Sequence, residues 1–167
     1  MAVNPVPGIS NPRLRRLHAD LAAVIELTRA SDLIAASYAG NPPDRYRILY
    51  RCRGLYLPEG TSEPELLDHH EADYYLHRDY PRRPPQILWR TRIFHPNIIS
   101  AENGGGVCIG SWTPSESLAD LVLRVGEMIQ YRLYNPEDLL NRQAAAWAEA
   151  HADELPVDDR PLAVYGL

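Results

Sequence analysis

Lysine is absent from this chain of 167 residues, and all 17 of its basic residues are arginines. An alanine- and arginine-rich composition points to a GC-rich genome, so codon bias is the first explanation. Cysteine is scarce. Cys52 and Cys108 are too few and too far apart for a disulfide framework or a zinc-binding CxxC pair. Long apolar runs are missing as well. Nothing approaches the roughly 18 residues of a membrane span, and the N-terminus lacks the apolar stretch of a signal peptide. No partner in a membrane is expected, and a reducing cytoplasm is the simplest home. Excess positive charge is lacking too. The net charge of −5 and a pI near 5.6 argue against nucleic acid as the main partner.

The residues present suit a single α+β domain, and 45% hydrophobic content is enough for a core at this length. Residues 1–10, bearing proline and glycine, read as a flexible N-terminus. Asn11-Pro12 then opens a helix, with asparagine as N-cap and proline at the first helical position. Leu14, Leu17, Leu21, Val24 and Ile25 give it one apolar face, and it should end near Ser31. Strands are predicted at 33–38, 46–52, 70–76 and 86–91, with 57–67 as loop. Alternation is clearest where Tyr46, Ile48 and Tyr50 oppose arginines, and where Ala72, Tyr74 and Leu76 oppose Glu71, Asp73 and Tyr75. Thr113-Pro114-Ser115-Glu116 has the form of a capping box ahead of a helix carrying Leu118, Leu121, Val122, Val125, Met128 and Ile129. A third helix spans about 141–152, and Trp112 and Trp147 read as packing residues. The expectation is an N-terminal helix, a four-stranded antiparallel meander, a flap and two or more C-terminal helices. The domain should run over 11–155, with 156–167 as a tail.

The chemistry gathers around Cys108, in Gly104-Gly105-Gly106-Val107-Cys108-Ile109-Gly110, thirteen residues after His95 of His95-Pro96-Asn97. A cysteine can carry an acyl group as a thioester, and a nearby asparagine amide can donate to the oxyanion formed when that thioester is attacked. The glycines would leave the sulfur open to a large incoming chain. A buried thiol beside a turn is the alternative. A free cysteine, with a pKa of about 8.5, is only a few per cent thiolate at neutral pH. That suffices for exchange with a ready-made thioester, whereas a cysteine hydrolase would need His95 as base. His95 could instead hold the turn before Pro96. Asn97 could stabilise a turn, donate to an oxyanion, or do both. His69, His70 and His77 have no useful metal spacing, so no metal or cofactor is expected.

Four segments in order carry a resemblance: Tyr80-Pro81-Arg82-Arg83-Pro84-Pro85, Ile93-Phe94-His95-Pro96-Asn97-Ile98 followed by Cys108, Trp112-Thr113-Pro114, and Asn135-Pro136-Glu137-Asp138. Over about residues 12–152 the chain resembles the ubiquitin-conjugating enzymes. The resemblance implies that a ubiquitin-like modifier is received from an activating enzyme as a thioester on Cys108 and passed to an amine of a protein target. It implies an acidic gate residue at Asp138, an acceptor groove with Tyr134 and Asn135 alongside, and docking of the activating enzyme by the basic end of the first helix. Arg13, Arg15 and Arg16 cluster there, and a merely solvated face is the alternative. A catalytic-site acid that is only a helix cap or turn residue is the corresponding alternative for Asp138.

Departures from the common pattern point to a branch. The Asn97-to-Cys108 interval is longer, the Cys108-to-Trp112 interval is shorter, and Gly110 stands where many members carry an acid. Arg82 and Arg83 replace the apolar position used by RING and HECT ligases. The short loop and the stretch from Leu140-Asn141 to Ala144-Ala145 look more like prokaryotic members, several of which belong to bacterial antiphage operons. Lysine's absence now has its chemical reading. An arginine cannot attack a thioester as a lysine amine can, so the enzyme would be spared from modifying itself. The competing function classes are a cysteine hydrolase and a non-catalytic variant that binds ubiquitin-like partners; the latter usually lacks the cysteine.

Overall fold

The computed structural model describes residues 11–166; the flexible N-terminus expected over 1–10 lies outside them. Helix α1 covers Pro12–Arg29, with the Asn11 side chain accepting from the N–H groups of Arg13 and Leu14. Its buried stripe is Leu17, Asp20, Val24 and Leu27, so a carboxylate sits within the apolar face. Strands β1 (Ile34–Tyr38), β2 (Arg45–Tyr50), β5 (His70–Tyr75) and β6 (Gln86–Trp89) form a four-stranded antiparallel sheet in the order β1-β2-β5-β6. Between β2 and β5 lies a small hairpin, β3 (Gly54–Tyr56) with β4 (Glu65–Leu67), in a stretch read from sequence mostly as loop. Its strands are three residues each, too short to show periodicity.

Alternation along β2 and β5 turns Tyr46, Ile48, Tyr50, His70, Ala72 and Tyr74 inward, paired across the strands. Helix α2 (Leu118–Ile129) covers that face, burying Leu118, Leu121, Val122, Val125 and Ile129. The Tyr50 hydroxyl joins the layers, 2.6 Å from the Tyr74 hydroxyl and donating to the Val122 carbonyl at 2.8 Å. Helix α2 starts later than Thr113-Glu116 suggests. That pair does close a turn, with the Glu116 carboxylate accepting from the Thr113 N–H at 2.7 Å. The reciprocal box that begins the helix is Ser117 with Asp120. The Glu116 carbonyl is taken by the Arg16 guanidinium and Ser117 is extended, so the chain cannot run helically through 116.

A second apolar cluster seats the flap. Leu55, Phe94, Tyr131, Ala144 and Ala148 are buried together, with Trp147 of helix α3 (Arg142–Ala150) against them. The segment after Leu155, expected as a tail, is tied to the body over 157–164, where the Val157 N–H donates to the Gln130 carbonyl and the Val164 N–H to the Ala30 carbonyl. The Asp158 carboxylate accepts from the Arg53 N–H at 2.8 Å and is gripped by Arg160. Burial alone would raise that carboxyl, but the Arg160 guanidinium and the Arg53 and Arg160 N–H groups outweigh it and hold the group well below the usual carboxylate range. Leu162 enters the core beside Gly126, where an added Cβ would fall 2.7 Å from the Leu162 Cδ1.

Candidate functional site

Cys108 ends a run of backbone bonds that follows the flap. The Ile99 N–H donates to the Gly106 carbonyl at 2.8 Å, and the Cys108 N–H donates to the Asn97 carbonyl at 2.9 Å. Of the preceding glycines, Gly105 serves the edge of the sheet. Gly105 has φ +70°, and a Cβ there would lie 2.7 Å from the Trp89 carbonyl oxygen, to whose N–H the Gly105 carbonyl bonds. Cys108 is half-buried, in a cavity of about 320 Å³ that it shares with Asn97, Arg124, Met128, Tyr134 and Asn135. Cys52 is sealed in the core, where burial pushes its thiol up to about 12.

Asn97 is fully buried and its amide is committed. Its Oδ1 accepts from the Asn135 N–H at 2.8 Å, and its Nδ2 donates to the Asn135 carbonyl at 2.8 Å and the Asp138 carbonyl at 2.9 Å. The Pro96 carbonyl accepts from the N–H groups of Leu140 and Asn141. The flap and the 135–141 loop are therefore one hydrogen-bonded unit, and both Nδ2 hydrogens are spent within it. Of the two roles open to Asn97 in sequence, this geometry favours the turn-holding one.

His95 is buried completely, with its ring 4.8 Å from that of Tyr131. Its Nδ1 accepts from the Asn97 N–H at 3.0 Å. Burial lowers its pKa to about 3; the Met128 backbone carbonyl opposes part of that shift, although Nε2 meets no acceptor within hydrogen-bonding geometry. A sealed imidazole with its Nδ1 lone pair occupied offers the thiol no base. Tyr134 is half-buried and stacks at an angle on Tyr131, while Asn135 turns the loop by accepting from the Glu137 N–H at 2.9 Å. The Asp138 side chain is exposed, does not line the Cys108 cavity and makes no hydrogen bond among the described residues. Its link to the site runs through its carbonyl.

The basic cluster does not form one surface. Arg13 donates to the carbonyls of His77 and Leu76, both at 2.8 Å. Arg16 pairs with Asp20 at 2.9 Å and reaches the Tyr80 hydroxyl and the carbonyls of Pro114 and Glu116. Asp20 completes this joint by accepting from the Tyr80 hydroxyl and from the Leu118 N–H at the start of α2. Only Arg15 of the three is exposed. Two of the three arginines thus bind α1 to the rest of the fold, because their guanidinium groups find backbone carbonyls more than 60 positions away that the sequence could not show. His69, His70 and His77 are separately engaged: His69 is exposed beside Glu71, His70 bonds the Leu67 carbonyl and His77 bonds the Pro84 carbonyl. Sequence reasoning missed Arg124, the cation of the Cys108 cavity. It is 16 positions from the cysteine on the half-wetted side of α2, and nothing in its local pattern marks it.

Comparison with known proteins agrees with this architecture. The ubiquitin-conjugating enzyme family model matches residues 68–155, which include the flap, Cys108, α2 and α3. The bovine protein described as ubiquitin-conjugating enzyme E2 T is 28% identical over 116 residues, covering 56% of this chain and 57% of the bovine protein. Ubiquitin-conjugating enzyme E2 22 of Arabidopsis thaliana is 30% identical over 125 residues, covering 68% of this chain and 47% of the plant protein. The chain thus spans about half the length of these curated relatives. Among solved structures, the E2 domain of a Toxoplasma gondii ubiquitin conjugating enzyme superposes with a TM-score of 0.58 at 25% identity, covering 84% of this chain and 89% of that one. With the family model matching more than half of its length, and the helix, sheet, flap and cysteine in order, this chain belongs to the ubiquitin-conjugating enzyme family.

Proposed function

We propose that this protein is an acyltransferase that takes a ubiquitin-like modifier from an activating enzyme onto Cys108 and delivers it to an amine of a protein target. The observation that carries the reading is the contrast between the thiols: Cys108 opens to the cavity beside the flap, whereas Cys52 is sealed and held protonated. In charging, the Cys108 sulfur attacks the carbonyl carbon of the modifier's thioester. A new C–S bond forms, the bond to the activating enzyme's sulfur breaks, and that sulfur leaves as a thiol carrying the proton. In discharge, a neutral amine nitrogen attacks the same carbon, the Cys108 C–S bond breaks, and the amine's proton passes to solvent or to the departing sulfur. The sealed His95 argues against a hydrolase, which would need a base to raise the thiolate. Asp138, exposed on the loop pinned by Asn97, helps shed or orient the incoming amine's proton.

Incubation with activating enzyme, modifier and ATP should yield a thiol-sensitive adduct, and its discharge onto a small amine should outpace discharge to water. Discharge to water at the amine's rate would select the hydrolase instead. Asp138→Ala should slow aminolysis about tenfold near neutral pH. That loss should shrink as pH rises and the amine deprotonates by itself. A loss that is constant across the pH series leaves Asp138 as scaffolding.

Arg15 is the exposed residue left to represent the proposed activating-enzyme dock on α1. Arg15→Glu should slow charging severalfold, and its salt dependence should be shallower than that of the wild type. Arg16→Glu should instead lower stability by about 3 kcal/mol, because it strands the buried Asp20 carboxylate. Charging by Arg15→Glu at the wild-type rate makes that position a solvated face. We place the enzyme in the cytoplasm of a bacterium, in a conjugation pathway of the antiphage type. The short Cys108-to-Trp112 loop and alanine-rich α3 support this reading, while the relatives named above are eukaryotic. No helix among the described residues is long and apolar enough to cross a membrane. An activating-enzyme gene and a ubiquitin-like gene beside this one are the expected surroundings.

A further inference from the structure

After Cys108 the chain enters a short loop that belongs to no helix or strand. The chain leaves Cys108 through Ile109, Gly110 and Ser111, with Gly110 at φ +77°, and reaches Trp112 after only four steps. What holds this loop is a side chain from α2. The Arg124 guanidinium donates through Nη1 to the Ser111 carbonyl at 2.8 Å and to the Ile109 carbonyl at 3.3 Å. Its Nη2 forms an ion pair with the Glu116 carboxylate, which also accepts from the Thr113 N–H. Arg124 and Glu116 are both about four-fifths buried, with side-chain exposures of 21% and 23%. Arg124 also lines the cavity into which Cys108 opens, together with Tyr134 and Asn135.

We propose that Arg124, through its bonds to the Ile109 and Ser111 carbonyls, is a positioning residue for the thioester on Cys108, fixing the 109–111 loop as the wall along which the acceptor amine approaches. The proposal rests on Cys108 being the acyl carrier. Three features of arginine suit it to this place. Its planar group presents several donors at once, so one side chain can grip two carbonyls and a carboxylate. It stays protonated, so it keeps those bonds across the working pH range. It is also no acceptor. A lysine ammonium at 124 would be a primary amine inside the thioester cavity, and loss of its proton would make it a competitor for the acyl group. The lysine-free composition acquires a local meaning at this one position.

Single-turnover discharge of pre-charged enzyme onto a small amine tests the idea, with wild-type charging as the first measurement. Failure of wild-type enzyme to charge counts against the acyl-carrier reading itself, whereas normal charging leaves the clamp alone under test. Arg124→Gln is expected to charge within about threefold of wild type and to discharge about tenfold more slowly, since small displacements of a reacting group cost one to two orders of magnitude. Glu116→Gln loosens the same ion pair but leaves Arg124 able to grip the two carbonyls, so its discharge should stay within about threefold. A merely structural pair would lower both variants together, in step with their melting temperatures. Arg124→Lys supplies a second readout: its thioester should decay without added amine, leaving a thiol-resistant modifier on residue 124 that peptide mass spectrometry locates. Equal discharge losses in Arg124→Gln and Glu116→Gln overturn the proposal, as does discharge by Arg124→Gln at the wild-type rate.

Discussion

Cys108→Ala is expected to leave no adduct with the modifier, whereas Cys52→Ala should charge within about twofold of wild type. The two sulfurs differ by environment, not by chemistry. Transthiolation needs a thiolate that an incoming carbonyl can touch, and Cys108 meets the second condition by opening to the cavity beside Asn97 and Tyr134. Cys52 meets neither. Its side chain is fully buried against α2, and a thiol pushed up to about 12 is ionised to roughly one part in 10⁵ at neutral pH. Cys108→Ser should give either an ester that survives thiol treatment or no product, because the hydroxyl is the poorer nucleophile. The cost of Cys52→Ala should appear in stability instead, at about 1–2 kcal/mol for the small cavity it leaves in the core. Charging that persists in Cys108→Ala and disappears in Cys52→Ala would sink the assignment.

Asn97→Ala should produce the second large effect, a loss of about 10²-fold in discharge onto an amine. An oxyanion donor of the usual strength would predict a loss of 10²–10³ as well, so the rate alone does not identify the cause. Hydrogen exchange does. Alanine removes three bonds to the 135–138 loop at once, and the freed stretch holds Tyr134 and Asn135 against the cavity. We expect the Asn135 amide to lose its protection, the melting temperature to fall by about 5–10 °C for some 2–3 kcal/mol, and charging to suffer less than discharge. Retained protection together with slow discharge would show that the amide leaves its loop partners and turns to the oxyanion during reaction. Equal losses in both steps, with protection gone, would reduce Asn97 to fold maintenance.

The sequence by itself determined whatever is encoded within a few neighbouring residues. The Asn11 cap, the inward faces of β2 and β5, the apolar side of α2 and the pairing of a His-Pro-Asn turn with a later cysteine all follow from short-range pattern, because side-chain direction is set by the helical or strand period. Tertiary structure decided everything that depends on which polar group meets which. The helical period of α1 says nothing of the partners of Asp20, which accepts from Arg16, Tyr80 and the first N–H of α2. Arg13 and Arg16 read as a docking patch in a charge count, but distant carbonyls claim both. The Asn97 amide could have served a turn or an oxyanion, and loop 135–138 takes all its hydrogen bonds. Arg124 reaches the loop after Cys108 from α2, across 13 to 15 positions of sequence, and residues 157–164 join the body through Asp158 at the Arg53 N–H, Leu162 at Gly126 and the Val164 N–H at the Ala30 carbonyl. A buried polar group must find a partner or carry the full cost of desolvation, and that partner is chosen by packing across long sequence separations. Local periodicity contains no record of that choice.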